Sequence, residues 1–251
     1  MSVAKSLHGV QVLVGVSRSQ LRWLFAAIWA ANVGLLASNF LFAAGWAPHP
    51  SVVNQLNMDE ETAFGAWYPS ALLILLALSA ALHYLMDRHA KHEPPSASAG
   101  WLHLAGIALI ISADEVCGVH EYADRYYSNE VSTQFLGIGV SWTLLFLPLI
   151  LLSAMALARL AIHSLKRTPV ARTLALAGLC CWLGAVGLEM AQWAFLDGEP
   201  LPVIGAYEPA LEEGLELVGT TLLLHAVFVS MSSWTAHWRQ VLLGAPPSRA
   251  S

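Results

Sequence analysis

Residues 23–58 read WLFAAIWAANVGLLASNFLFAAGWAPHPSVVNQLNM, from Trp23 to Met58 without one Asp, Glu, Lys or Arg. About 20 consecutive apolar residues let a helix cross the hydrocarbon of a bilayer, and a helix satisfies its own backbone hydrogen bonds there. The stretch therefore predicts a membrane-spanning helix near 22–45. Residues 131–158, from Val131 to Ala158, are equally free of charge. The same criterion applied along the chain gives six spans, near 22–45, 66–87, 101–121, 134–158, 173–196 and 213–235. The first apolar stretch exceeds the 7–15 residues of a signal-peptide core, so it reads as a retained span.

Composition agrees. Of 251 residues, 57% are hydrophobic and 12% charged, against about 25% charged in soluble domains. The links between spans are short, which leaves one integral membrane domain over 1–251 with an all-α fold, a polytopic bundle of six transmembrane helices whose first partner is the lipid bilayer. The stretch Met1 to Gln20, with Lys5 and Arg18 among apolar residues, is expected along the membrane surface. Cys117, Cys180 and Cys181 form no CxxC pair and read as packed thiols.

Basic residues set orientation. Lys5, Arg18 and Arg22 precede the first span, and Arg88 and Lys91 separate the second from the third. Arg159, Lys166, Arg167 and Arg172 flank the fourth-to-fifth link, while Arg239 and Arg249 follow the sixth. Eleven of the twelve Lys and Arg thus fall on one side, with Arg125 on the other. This predicts cytoplasmic termini in an inner (plasma) membrane. Asp87 and Glu93 are the acids expected on the cytoplasmic side.

Six acids stand where acids are costly. Asp114, Glu115 and Glu121 lie in the third span or at its end, Glu189 in the fifth, and Glu213 and Glu216 in the sixth. A charge at a helix centre costs about 2.5–3.5 kcal/mol on insertion scales, so intramembrane acids mark function. With the orientation above, three helices carry them to one depth near the outer face. Asp114 and Glu121 are seven apart and share a face of an ideal helix. Glu115 and His120 point elsewhere unless Gly118 distorts the helix. Close carboxylates repel, so they hold protons or a cation. Carboxylate with imidazole suits iron, manganese or zinc. The spacing Glu115 to His120 is not the Glu-x-x-His of di-metal bundles. A blander account places Glu121, Glu212 and Glu213 at the wet interface, where the first turn of a helix also favours acids. That account does not reach Asp114 or Glu189.

The expectation is a membrane-embedded, metal-dependent enzyme, a hydrolase or an oxidoreductase, acting on a lipid or other apolar substrate. Glu115, His120, Glu121, Glu189, Glu213 and Glu216 would be metal ligands, with Asp114 and Glu115 as catalytic groups. A cation- or proton-coupled transporter and a non-catalytic complex subunit are the alternatives. A second site on the inner side, from His83, His103 and His225, is conceivable on position alone; each reads first as a packed or hydrogen-bonded histidine. Asn32 and Asn39 are expected to bond to neighbouring helices. Trp46, Trp67, Tyr68, Tyr122, Tyr126, Tyr127 and Tyr207 read as an outer aromatic belt. Nucleophile-elbow, phosphate-loop and His-Glu-x-x-His motifs are absent, and the charge pattern gives no nucleic-acid footprint.

The run Ile110–Glu121, IISADEVCGVHE, with the later Glu212–Leu217, EEGLEL, resembles a pair of segments in uncharacterised bacterial multi-spanning membrane proteins. The resemblance implies one shared site containing Asp114, Glu115, His120, Glu121, Glu213 and Glu216. Ser112, Asp114 and His120 are loosely similar to part of the Ser, Asp and His zinc set of the membrane hydrolase superfamily that includes alkaline ceramidases. Those proteins have seven spans and late paired histidines, whereas this chain has six predicted spans and no such pair.

Overall fold

The structure is a computed structural model. It describes residues 18–58, 60, 63–90, 95–119, 122–123, 126, 134–135, 138–139, 142–196 and 205–242. Seven α-helices lie among them: α1 (Arg18–Ala43), α2 (Pro50–Leu56), α3 (Phe64–Ala90), α4 (Pro95–Cys117), α5 (Trp142–His163), α6 (Pro169–Leu196) and α7 (Glu208–Leu242). All but α2 are long and apolar enough to cross a membrane. The all-α bundle of six spans expected from the sequence is therefore the fold. A two-residue antiparallel ladder, β1 (Gln134–Phe135) with β2 (Ile138–Gly139), and one 3-10 turn at Gly205–Tyr207 are the remaining elements.

Local chemistry sets the helix ends. Pro95 and Pro169 open α4 and α6, and Pro50 opens α2, where a missing N–H costs nothing. His49 caps α2, its Nδ1 accepting from Ser51 N at 3.3 Å. Gly45 closes α1 with φ +84°, its N–H bonding Phe42 O while Trp46 N–H reaches Leu41 O. This is the left-handed glycine stop.

Two boundaries differ from the sequence expectation. The third span was placed over 101–121, but α4 ends at Cys117 because Gly118 takes φ +55°. The expectation that Asp114 and Glu121 share a face rests on Glu121, which lies outside the described residues. The fourth span was placed from 134, but Gln134 pairs with Gly139 and Phe135 with Ile138, and α5 begins at Trp142. Apolar character alone does not separate a strand from a helix over so few residues.

Two helices form the centre. Half of the most apolar stretch of α3 and 56% of that of α7 are buried, against 28% or less elsewhere. Helix α7 packs on α6, α3 and α1, α3 packs on α4, and α5 closes the far side against α4 and α6. Glycine permits the tightest approach. A Cβ on Gly178 of α6 would stand 2.8 Å from Gly219 O of α7, the small-residue packing expected where apolar lipid supplies no hydrophobic drive. Leu145, Phe146, Leu149, Leu152 and Met155 of α5 point outward, as lipid-facing residues should.

The stretch 1–17, and with it most of the expected surface segment, lies outside the described residues. Cys117 and Cys180 are exposed and Cys181 half-buried. The packed-thiol expectation thus fails for the first two, which stand on outward faces of α4 and α6.

Candidate functional site

The antiparallel order of the spans separates charge. Arg22, Arg88, Arg159, Lys166, Arg167 and Arg172 sit at one end of the bundle. Asp114 and Glu115 at the end of α4, Glu189 towards the end of α6, and Glu208, Glu212, Glu213 and Glu216 at the start of α7 sit at the other. These acids are half-buried, except Glu208, which is 2% exposed.

Contacts fix their levels. Ser70 of α3 and Ser112 of α4 bond reciprocally: Ser70 Oγ donates to Ser112 O at 3.0 Å and Ser112 Oγ to Ser70 O at 3.1 Å. Helices α3 and α7 run parallel, with His83 opposite Ser230. Equal steps back along both set Tyr68 level with Leu215, the layer that Asp114 and Glu115 also occupy. On α6 a Cβ at Gly184 would meet Leu215 at 3.3 Å, so Glu189 stands about one turn further out. Carboxylates from α4, α6 and α7 thus share the acidic end within about two helical turns.

Among the described residues, no group of three or more His, Cys, Asp or Glu is placed to hold a metal ion. His120 and Glu121 lie outside the described residues, as do Arg125 and Tyr127. The structure brings Asp114, Glu115, Glu189, Glu213 and Glu216 to one end without assembling a ligand set from them. The inner trio His83, His103 and His225 forms no such set either. His225 stacks on Phe25 at 4.0 Å between centroids.

Beneath the acids lies a buried polar layer. Asn32 of α1, 0% exposed, donates from Nδ2 to Thr221 Oγ1 at 2.8 Å, and Tyr68 donates its hydroxyl to Asn32 Oδ1 at 2.9 Å. Trp182 Nε1 donates to Thr220 Oγ1 at 3.1 Å. Tyr68 is therefore turned into the bundle instead of joining the belt, whereas Trp46, Trp67, Tyr122, Tyr126 and Tyr207 are exposed as expected. Asn39 differs from Asn32. It donates to Leu56 O and accepts from Met58 N, holding the end of α2 rather than a neighbouring span. A crevice between Asn39, Phe42, Met58 and Pro209 opens beside this clasp. Below the polar layer, Leu73, Leu76, Ala77, Ala80 and Leu224 make an apolar slab.

A second polar centre lies beyond the slab, at the basic end. His83 Nε2 is 2.9 Å from Ser230 Oγ, and His83 Nδ1 is 3.4 Å from Asp87 Oδ1. The three residues are 2%, 3% and 6% exposed in the order His83, Ser230, Asp87. The indole of Trp101 stacks on His83 at 3.9 Å. Sequence reasoning missed Asp87 and put it in the cytoplasmic layer with Arg88. The i, i+4 spacing of His83 and Asp87 was the available signal, but the side of α3 that is buried is decided by α7 and α4.

A family model described as Domain of unknown function (DUF8692) matches residues 21–231, which holds four of the six spans whole and all but two residues of the first and of the last. No curated protein and no solved structure matches the chain.

Proposed function

We propose, from the premise that the chain belongs to this family of unknown function, that the protein is a membrane-embedded enzyme acting on a lipid or other apolar substrate at its acidic end. The observation that carries the reading is the arrival of half-buried carboxylates from α4, α6 and α7 at one end of a bundle of six long apolar helices. Acids so placed are costly unless they serve a purpose. In this reading Glu115, Glu189, Glu213 and Glu216, with His120 and Glu121 after the Gly118 break, bind a divalent metal, iron, manganese or zinc, and Asp114 moves protons beside it. Oxygen-rich donors with one imidazole suit those ions. A bound metal would supply Lewis acidity or, if redox-active, electrons. The buried Asn32–Thr221–Tyr68 layer gives the acids a rigid floor.

The apolar slab supports an enzyme over a cation- or proton-coupled transporter, since a relay needs polar groups along its path. A non-catalytic complex subunit would use the acids only as a wet or partner-facing surface. We further propose that the basic end is cytoplasmic, as the distribution of Lys and Arg implies, in an inner membrane with both termini inside. The site then faces the outer leaflet.

Elemental analysis of detergent-purified protein, beside a Glu189→Gln/Glu216→Gln variant, tests the metal. One or two equivalents in the wild type, lost in the variant, is the expected result. A wild type that stays metal-free after incubation with iron, manganese and zinc overturns it.

A further inference from the structure

We propose that Ser230, His83 and Asp87 form a second chemical centre at the basic end, in which Ser230 is a nucleophile that takes the acyl group of a lipid ester. The proposal goes beyond the acidic-end reading and does not rest on it.

The order of the groups is that of nucleophile, base and orienting acid. Ser230 Oγ is within hydrogen-bond reach of His83 Nε2 at 2.9 Å, and the other ring nitrogen faces Asp87 Oδ1 at 3.4 Å. A carboxylate beside Nδ1 favours the tautomer with the proton there, and in that tautomer Nε2 accepts the serine proton. Geometry of this kind defines the activated serine regardless of fold or chain order. At 3.4 Å the buried Asp87 Oδ1 is an ion-pair neighbour of Nδ1 rather than its hydrogen-bond acceptor. A buried contact left unmade in this way is a poor design for a mere helix clamp.

Two further observations point to a substrate. Trp101, 2% exposed, has a buried indole N–H without a hydrogen-bond acceptor. The same ring lies on His83 and lines an apolar crevice with Leu104, Leu160, Leu223, Ala226 and Val227. Ser230 follows Val227 and Ala226 by about one helical turn and Leu223 by about two, so it shares their face of α7. The serine thus stands about one turn beyond the lining of the crevice. The crevice would have to widen to admit an acyl chain, whose carbonyl oxygen is the acceptor that the Trp101 N–H lacks. That donor would also stabilise the oxyanion as it forms.

The chemistry balances with water alone. Ser230 Oγ bonds to the acyl carbon while its proton passes to His83 Nε2 and the carbonyl electron pair moves onto oxygen. Collapse breaks the carbon–oxygen bond to the lipid alcohol, which leaves with the proton from His83. Water, deprotonated by the same nitrogen, then releases the fatty acid and restores Ser230.

The test uses full-length protein in detergent micelles with a long-chain alkyl fluorophosphonate, read by intact mass and peptide mapping. The expected result is one phosphonyl adduct, on Ser230, absent in Ser230→Ala. His83→Gln should slow labelling about 100-fold or more, and Asp87→Asn carries the same test if that variant fails to fold. Labelling should be unchanged after treatment with a divalent-metal chelator, which separates this centre from the acidic end. A folded wild type that takes no adduct over hours at pH 6–9 overturns the proposal. So does labelling at another residue, or labelling of Ser230 at an unchanged rate in both the His83 and Asp87 variants.

Discussion

Asn32 ties three of the described spans together. It is fully buried in α1 and joins Thr221 of α7 to Tyr68 of α3. Replacing it by leucine keeps the branched shape but removes both bonds, leaving the Tyr68 hydroxyl only Ile28 O at 3.3 Å. Intramembrane hydrogen bonds contribute about 0.6 kcal/mol on average and up to about 1.7 kcal/mol. Asn32→Leu should therefore destabilise the protein by about 1 kcal/mol, seen as a lower melting temperature in detergent. Adding Thr221→Val should cost less than the sum of the two single changes, and strict additivity would show that the bond contributes nothing. The sequence made Asn32 legible as a bonding amide, because a polar side chain amid apolar neighbours needs a partner. It did not make Asp87 legible. Beside Arg88 that residue reads as interfacial, and only the packing of α7 and α4 on α3 shows it buried against His83.

Among the elements, the α6–α7 pair depends on glycine. A Cβ on Gly219 would meet Trp182 Cδ1 at 2.6 Å and Gly178 O at 2.9 Å, whereas one on Gly187 would meet nothing within 4 Å. Overpacking of this kind costs about 1–3 kcal/mol. Gly219→Val should lower the melting temperature by that equivalent, while Gly187→Ala should leave it unchanged or slightly raised. Equal effects at the two positions would refute the close approach. Element boundaries were the least legible part of the sequence. Long apolar runs located every span, but the end of α4 is a backbone decision by Gly118 and the start of α5 one made by strand pairing at 134–139. Neither changes hydropathy, which is the signal that a window over the sequence reads.

At the scale of the molecule, the described acids other than Asp87 stand at the end opposite the described Lys and Arg, with polar layers on either side of a mainly apolar slab. The orientation proposed from this can be read by labelling a cysteine-free background with a membrane-impermeant maleimide in intact cells. A cysteine at exposed Glu60 should react, and one at exposed Lys166 only after the membrane is opened. The reverse pattern would put the acidic end inside. The sequence by itself determined the class, the number of spans and the charge asymmetry. These follow from the cost of moving charge and unpaired backbone into hydrocarbon, a property of each segment taken alone. It also named the acids of α4, α6 and α7. What the tertiary structure alone decided is which helices stand at the centre, how α4, α6 and α7 align in depth, and that His83, Asp87 and Ser230 meet. Those depend on the rotation and register of helices against each other. In lipid these are set by small-residue contacts and buried hydrogen bonds rather than by hydrophobic burial, so the apolar pattern of the chain holds little record of them.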